Sequence, residues 1–334
     1  SAFTEKEITK TDLKGNKGLF ANGNAITIEA GSDGKTKVTA TGSNEVKEID
    51  GSQYIIFGGK YDDDCETTNI TMKGGSVKAI VGGGYGTTKE NSADVSGTTT
   101  INITGGTITN MLIGGGAYYA TSKKADITIS DVIMGSTAWI LGSIESGSAT
   151  GPSSKYPEFK DATCKLAEMN LTITGGTFGY IALTGGNGYY AYTQKGTANI
   201  TGTGEKPIIF KGGLFGCGSN GRGDEAKATL DYCNFTEPYS GGYFEIASVN
   251  RGKLKTVDFT FKNCNFTNDT NKMYAYLGGT YLWSDGYQGS EVGIPENVKF
   301  SFENTCKNIP STFISDGLAN ANITVTGANS KISL

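Results

Sequence analysis

The chain contains no histidine. That removes Ser-His-Asp and Cys-His catalysis, HExxH metal sites and every imidazole general base. The residues that could still do chemistry fall into three groups. The first is a row of aromatics behind glycine runs. Tyr85 follows Gly82-Gly83-Gly84, and Tyr118 and Tyr119 follow Gly114 to Gly116. Tyr189 and Tyr190 follow Gly185-Gly186-Asn187-Gly188, and Tyr281 and Trp283 follow Gly278-Gly279. At equivalent points of a repeat, such rings line one edge and offer sugars flat apolar faces and phenol groups. Folded over their own corners, the same rings would only pack. The second group is Arg222 and Arg251, the only arginines among 29 basic residues. A guanidinium suits bidentate recognition of a carboxylate. Arg222-Gly223-Asp224 is also an RGD tripeptide, a match that three residues reach by chance. The third group is Asp62, Asp63, Asp64 and Glu66, which could hold calcium through oxygen ligands or stand as a solvated acidic loop.

Composition narrows the partners. The net charge is −4 with two arginines, so the basic stripe that nucleic acid requires is missing. No apolar run approaches the ~20 residues that span a membrane, so membrane insertion is not expected. Ser1 is not preceded by a methionine or a signal-peptide core, which fits a trimmed chain. Six cysteines show no CxxC spacing, so zinc and thioredoxin-like chemistry are unsupported. Cys233 and Cys264 open matching Cys-Asn-Phe-Thr words. They fit either a stack of thiols or one disulfide between neighbouring coils.

The elements that must position these groups are short strands. Fifty glycines, about twice the usual ~7%, fall at recurring points between apolar pairs. In Thr98–Tyr119, strict alternation puts Ile101 and Ile103 on one face of a strand. The same inward pair recurs at Ile26/Ile28, Ile70/Met72, Ile127/Ile129 and Leu171/Ile173. After an irregular member at Ile200 it returns at Ala228/Leu230, Phe259/Phe261, Phe300/Phe302 and Ile323/Val325. The unit is about 29 residues, with insertions near 144–168 and 281–297 and a short last interval. A second apolar position (Val77, Ile108, Phe178, Phe235, Phe266) and a third short strand follow in each unit. The third includes Ile80-Val81, Met111 to Ile113 and Ile181 to Leu183. Three strands per turn, stacked so that neighbours bury one continuous core, is the pattern of a β-solenoid. The outward positions carry Thr and Asn, which create Asn-x-Thr words as a by-product of strand composition. Such Thr rows could order water as an ice-binding face, but Lys73, Asp126 and Ser130 interrupt them.

On Gly105-Gly106-Thr107-Ile108, Gly175-Gly176-Thr177-Phe178, Val81 to Tyr85 and Ile113 to Tyr118, the chain resembles the right-handed parallel β-helix (pectate-lyase-like) superfamily. In particular it is similar to Gly-rich secreted or surface-anchored bacterial proteins of that kind. The resemblance covers roughly residues 50 to 330. It implies an all-β, single-stranded right-handed parallel β-helix of about nine or ten coils, some 45 Å long. Residues 1–50 would form an N-terminal cap and first coil, and residues 51–334 the helix. In the lyases of this superfamily an arginine abstracts a proton while calcium neutralises the uronate. Carried over, Arg222 or Arg251 would be that base and Asp224, Glu225, Asp231 or Asp258 the calcium ligands. The acidic cluster usual on the first strands of those lyases is absent. The expected function is therefore non-catalytic polysaccharide binding along the Tyr/Trp edge, on a secreted or cell-surface protein. The alternatives are a polysaccharide lyase or hydrolase acting on uronate-containing polymers, and a structural adhesin binding protein partners.

Overall fold

The computed structural model describes residues 1–10, 12–145, 157–218, 221–236, 244–249, 252–266, 273–277, 295–310, 312–314, 322–327 and 331–333. The alternating word of Val95–Ile103 forms a strand between two parallel neighbours, Thr68–Met72 and Ala120–Ile129. Ile101 stands opposite Ile70 and Ile127, and Asn102 opposite Thr71 and Thr128. Because side chains alternate strictly, a slip of one residue would turn every isoleucine out to water; burial therefore locks the register. The same pairing repeats from Ile26–Ala30 through Cys164–Ile173, Ala191–Thr201, Glu225–Asp231 and Thr256–Lys262 to Asn322–Thr326. This sheet holds 12 strands among the described residues.

Between successive members, the chain crosses to a second sheet of 14 described strands. Its parallel members include Tyr54–Phe57, Ser76–Val81, Thr107–Ile113, Thr177–Gly185 and Ile208–Gly218. The molecule is thus all-β, with two long parallel sheets facing each other. The core between them takes Ile70, Ile101, Ile127 and Leu171 from one sheet and Ile56, Ile80, Leu112 and Ile181 from the other. Towards the C-terminal half this filling changes from aliphatic to aromatic. Phe259 stacks on Phe300 at 5.3 Å and Phe261 on Phe302 at 4.9 Å.

Three details differ from the sequence-based expectation. In Ser76–Val81, Thr107–Ile113, Thr177–Gly185 and Ile208–Gly218 the second and third strands of a unit are one strand, while Ile133–Met134 and Trp139–Leu141 stay separate within the same sheet. In Thr107–Ile113 a register irregularity between Ile108 and Met111 takes up the extra residues. A separate third ladder exists, but it is the short corner pairing of Tyr85–Gly86 with Ala117–Tyr118. The irregular unit at Ile200 is regular: Ala198 and Ile200 oppose Leu171 and Ile173, and only the small Ala198 broke the apolar pair. At the C-terminal end, Val325 faces Phe300 and Ile323 faces Val298, so the short interval arose from a pair displaced by two.

The N-terminal residues end both sheets with antiparallel strands. Thr4–Glu7 pairs with Lys17–Phe20, and Thr36–Ala40 lies between Ile26–Ala30 and Val46–Ile49. Short runs of the second sheet are apolar without interruption, as in Tyr-Ile-Ile-Phe and Trp-Ile-Leu. Such runs mark burial on both faces. The outer face indeed carries its own cluster, including Phe57, Val81, Ile113, Leu141 and Phe215, against which Ile8 and Leu13 of the N-terminal segment pack.

Candidate binding cleft

Each strand of the second sheet leaves through a glycine corner. A Cβ built on Gly82 would lie 2.3 Å from the carbonyl oxygen of Gly114 on the next repeat, so stacked corners meet backbone to backbone. Inward hydroxyls secure these corners. Thr68 Oγ1 donates to Gly82 O and Thr99 Oγ1 to Gly114 O, both at 2.7 Å. They share strand parity with the buried isoleucines, which is the sequence signal that would have found them.

The tyrosines behind the corners do not all face outwards. Tyr85 is 1% exposed, its ring stacked between Tyr61 at 5.8 Å and Tyr118 at 6.3 Å. Burial pushes its phenol up to about 12. Tyr118 is half-buried, with a left-handed backbone (φ 67°) and the Lys10 ammonium 4.9 Å above its ring. Tyr189 is 5% exposed and meets Tyr190 edge to face. Tyr190 is 43% exposed and Tyr119 half-buried. Tyr281 and Trp283 lie outside the described residues. The expected ladder therefore divides into a packed part (Tyr85, Tyr118, Tyr189) and an accessible part (Tyr119, Tyr190).

The accessible pair belongs to one column. Ala120, Cys164 and Ala191 are register partners on three successive strands. The residues just before them are Tyr119, Thr163 and Tyr190, with Ala120 N donating to Thr163 O and Thr163 N to Tyr190 O. Two strand spacings separate the tyrosine backbones, roughly 10 Å. Beside Tyr119 and Thr163 opens a cleft of about 370 Å³. Its walls are Ser92 and Asp94, Tyr119 to Thr121, and Lys160 to Thr163, with Lys89 and Lys165. This volume falls in the range of small-molecule sites. Three ammonium groups against two carboxylates make the cleft net positive. Asp94 is held at its back, Oδ1 accepting from Thr121 N at 2.8 Å, and burial raises its carboxyl above the ordinary value. Burial, then the neighbouring Tyr118 and Glu145, also raise the Tyr119 phenol. The Thr163 hydroxyl is buried without a hydrogen-bond partner. Sequence reasoning missed Ser92, Thr163 and the lysines. The insertion before Cys164 hides the equivalence of Thr163 with the tyrosines.

Arg222 does not face this cleft as a free base. Its Nη1 donates to Pro157 O at 3.0 Å and its guanidinium lies 5.2 Å over the Tyr192 ring. Asp224 accepts from Tyr192 OH at 2.5 Å and from Gln194 at 3.1 Å. Burial, and then that contact with Asp224, raises the Tyr192 phenol. The cluster pins the chain end of the insertion to the stack. Arg251 lies outside the described residues. Glu225, Asp231 and Asp258 stand on the outer face of the first sheet, and Glu225 pairs with Lys195 at 3.5 Å.

The acidic group is dispersed among neighbours. Asp62 Oδ1 accepts from Thr87 N at 2.7 Å, Asp63 Oδ1 from Asp64 N at 2.9 Å, and Asp64 Oδ1 from Asp94 N at 2.8 Å. Glu66 is exposed. Among the described residues no three such groups converge as a metal site. Nor is any described helix long and apolar enough to cross a membrane. No family model, no curated protein and no solved structure matches this chain.

Proposed function

We propose that this chain is a right-handed parallel β-helix protein, secreted or displayed at a bacterial surface, that binds polysaccharide without catalysing its cleavage. The observation that carries the reading is the column of Tyr119, Thr163 and Tyr190, whose first two members line the cleft. Two accessible tyrosines whose backbones stand two strand spacings apart, on the length scale of a disaccharide, suit stacking on successive sugars. The long in-register sheets support the β-helix assignment, since stacking fixes the spacing that a repeating polymer would meet.

Depletion from solution by insoluble polysaccharides, with pectin and glucan in the panel, tests this. Tyr119→Ala combined with Tyr190→Ala should weaken retention about tenfold, in line with ~0.5–1.5 kcal/mol per aromatic contact. Tyr85→Phe, inside the packed part of the row, should leave it unchanged. Retention that is indifferent to Tyr119 and Tyr190, or that is absent across the panel, overturns the reading.

A further inference from the structure

Three cysteines sit one above another. Asn234, Asn265 and Lys307 bridge in parallel register, so the residues just before them occupy one position on three successive repeats. Those residues are Cys233, Cys264 and Cys306, all free thiols. Each thiol reaches a carbonyl of the preceding strand: Cys233 to Ile200 O at 3.8 Å, Cys264 to Leu230 O at 3.6 Å, Cys306 to Phe261 O at 3.3 Å. The column resolves the alternatives left open by the matching Cys-Asn-Phe-Thr words in favour of stacked thiols.

The pitch of the stack gives this column a chemistry. Strands in register lie ~4.8 Å apart. Two thiolate–metal bonds in line, at ~2.3 Å each, span ~4.6 Å. Neighbouring thiols on a parallel ladder are thus set at the width of one two-coordinate cation. Access runs through Cys306, which is only partly buried; Cys264 is 1% exposed and borders a groove of about 300 Å³ with Tyr232, Asn263, Asn265, Thr305 and Lys307. Among the described residues no carboxylate lines that groove, and thiols without oxygen anions select soft ions over calcium or magnesium. Because three converging ligands are lacking among the described residues, tetrahedral zinc is not served.

We propose that Cys264 and Cys306 form a two-coordinate site for a soft monovalent cation of the copper(I) or silver(I) type. On binding, each S–H bond breaks and its electron pair makes the new S–metal bond. Two protons pass to the buffer, and neither sulfur nor metal changes oxidation state. Cys233, next in the column, is the inner neighbour of this site.

The test is a titration of the full, reduced chain with copper(I) held by a chromogenic competitor, repeated with silver(I). One cation should bind per chain, with near-ultraviolet sulfur-to-metal absorption and release of two protons. Cys306→Ser should lower the affinity on the order of a hundredfold, and Cys264→Ser likewise. Cys65→Ser, outside the column, should bind as the parent does. If Cys264→Ser does not fold, the partly exposed Cys306→Ser still decides. Uptake unchanged in the column variants, no uptake, or a Cys264–Cys306 disulfide in place of cation binding overturns the assignment.

Discussion

Asp94 illustrates a carboxylate that builds a site at a cost. It accepts from the Thr121 amide, yet burial raises its carboxyl above 3.8 in the folded chain. The folded state therefore holds this proton to higher pH than the unfolded state does. Between 3.8 and the raised value the folded chain binds more protons, so Asp94's contribution to stability falls as pH rises through that window. Asp94→Asn keeps an acceptor oxygen for Thr121. It should raise the melting temperature at neutral pH, and the gain should vanish below about pH 3.8. Thermal unfolding across a pH series checks this, and a gain that persists in acid would contradict the burial argument. The residue scale is also where the sequence was least legible. The tyrosine row was visible as a spacing, but the face each ring takes depends on backbone turns after the glycines. Tyr118 adopts φ 67° and sends its ring onto Tyr85, while its neighbour Tyr119 reaches the cleft. Neither outcome is encoded in residue type.

Elements were easier to read. Alternation alone located the isoleucine pairs of the first sheet, because burial on one face imposes a period of two. It failed at Ala198, where a small residue fills an inward position, and at Ile108–Met111, where an irregular register joins two expected strands into one. Glycine corners were legible as punctuation, but their reason is steric. Gly82→Ala would place a methyl against a backbone oxygen of the next repeat and should destabilise the chain by about 1–3 kcal/mol. Gly42 has open space around its Cβ position, so Gly42→Ala should be neutral or slightly stabilising. Denaturant midpoints of the two variants separate close approach from general glycine loss. Equal effects would mean that the corners tolerate a side chain.

For the whole molecule, the consequence of stacking is that coupling runs mainly between neighbours. Phe261 touches Phe235, Phe259, Phe266 and Phe302, all within its own or an adjacent repeat. Phe261→Ala should cost about 3–5 kcal/mol by leaving a cavity in this aromatic segment. Amide exchange should quicken from Glu225–Asp231 to Asn297–Phe302 and stay unchanged around Thr68–Met72. A uniform increase along the chain would show one cooperative unit instead. The parallel ladder also has a mechanical meaning. Its hydrogen bonds point along the stacking direction, so a pull applied to the two chain ends loads them in series and peels one repeat at a time. Each released unit of about 29 residues would add roughly 100 Å of contour. Under tension, such a molecule yields gradually and lengthens in steps, where a sheet loaded in shear would hold and then fail at once.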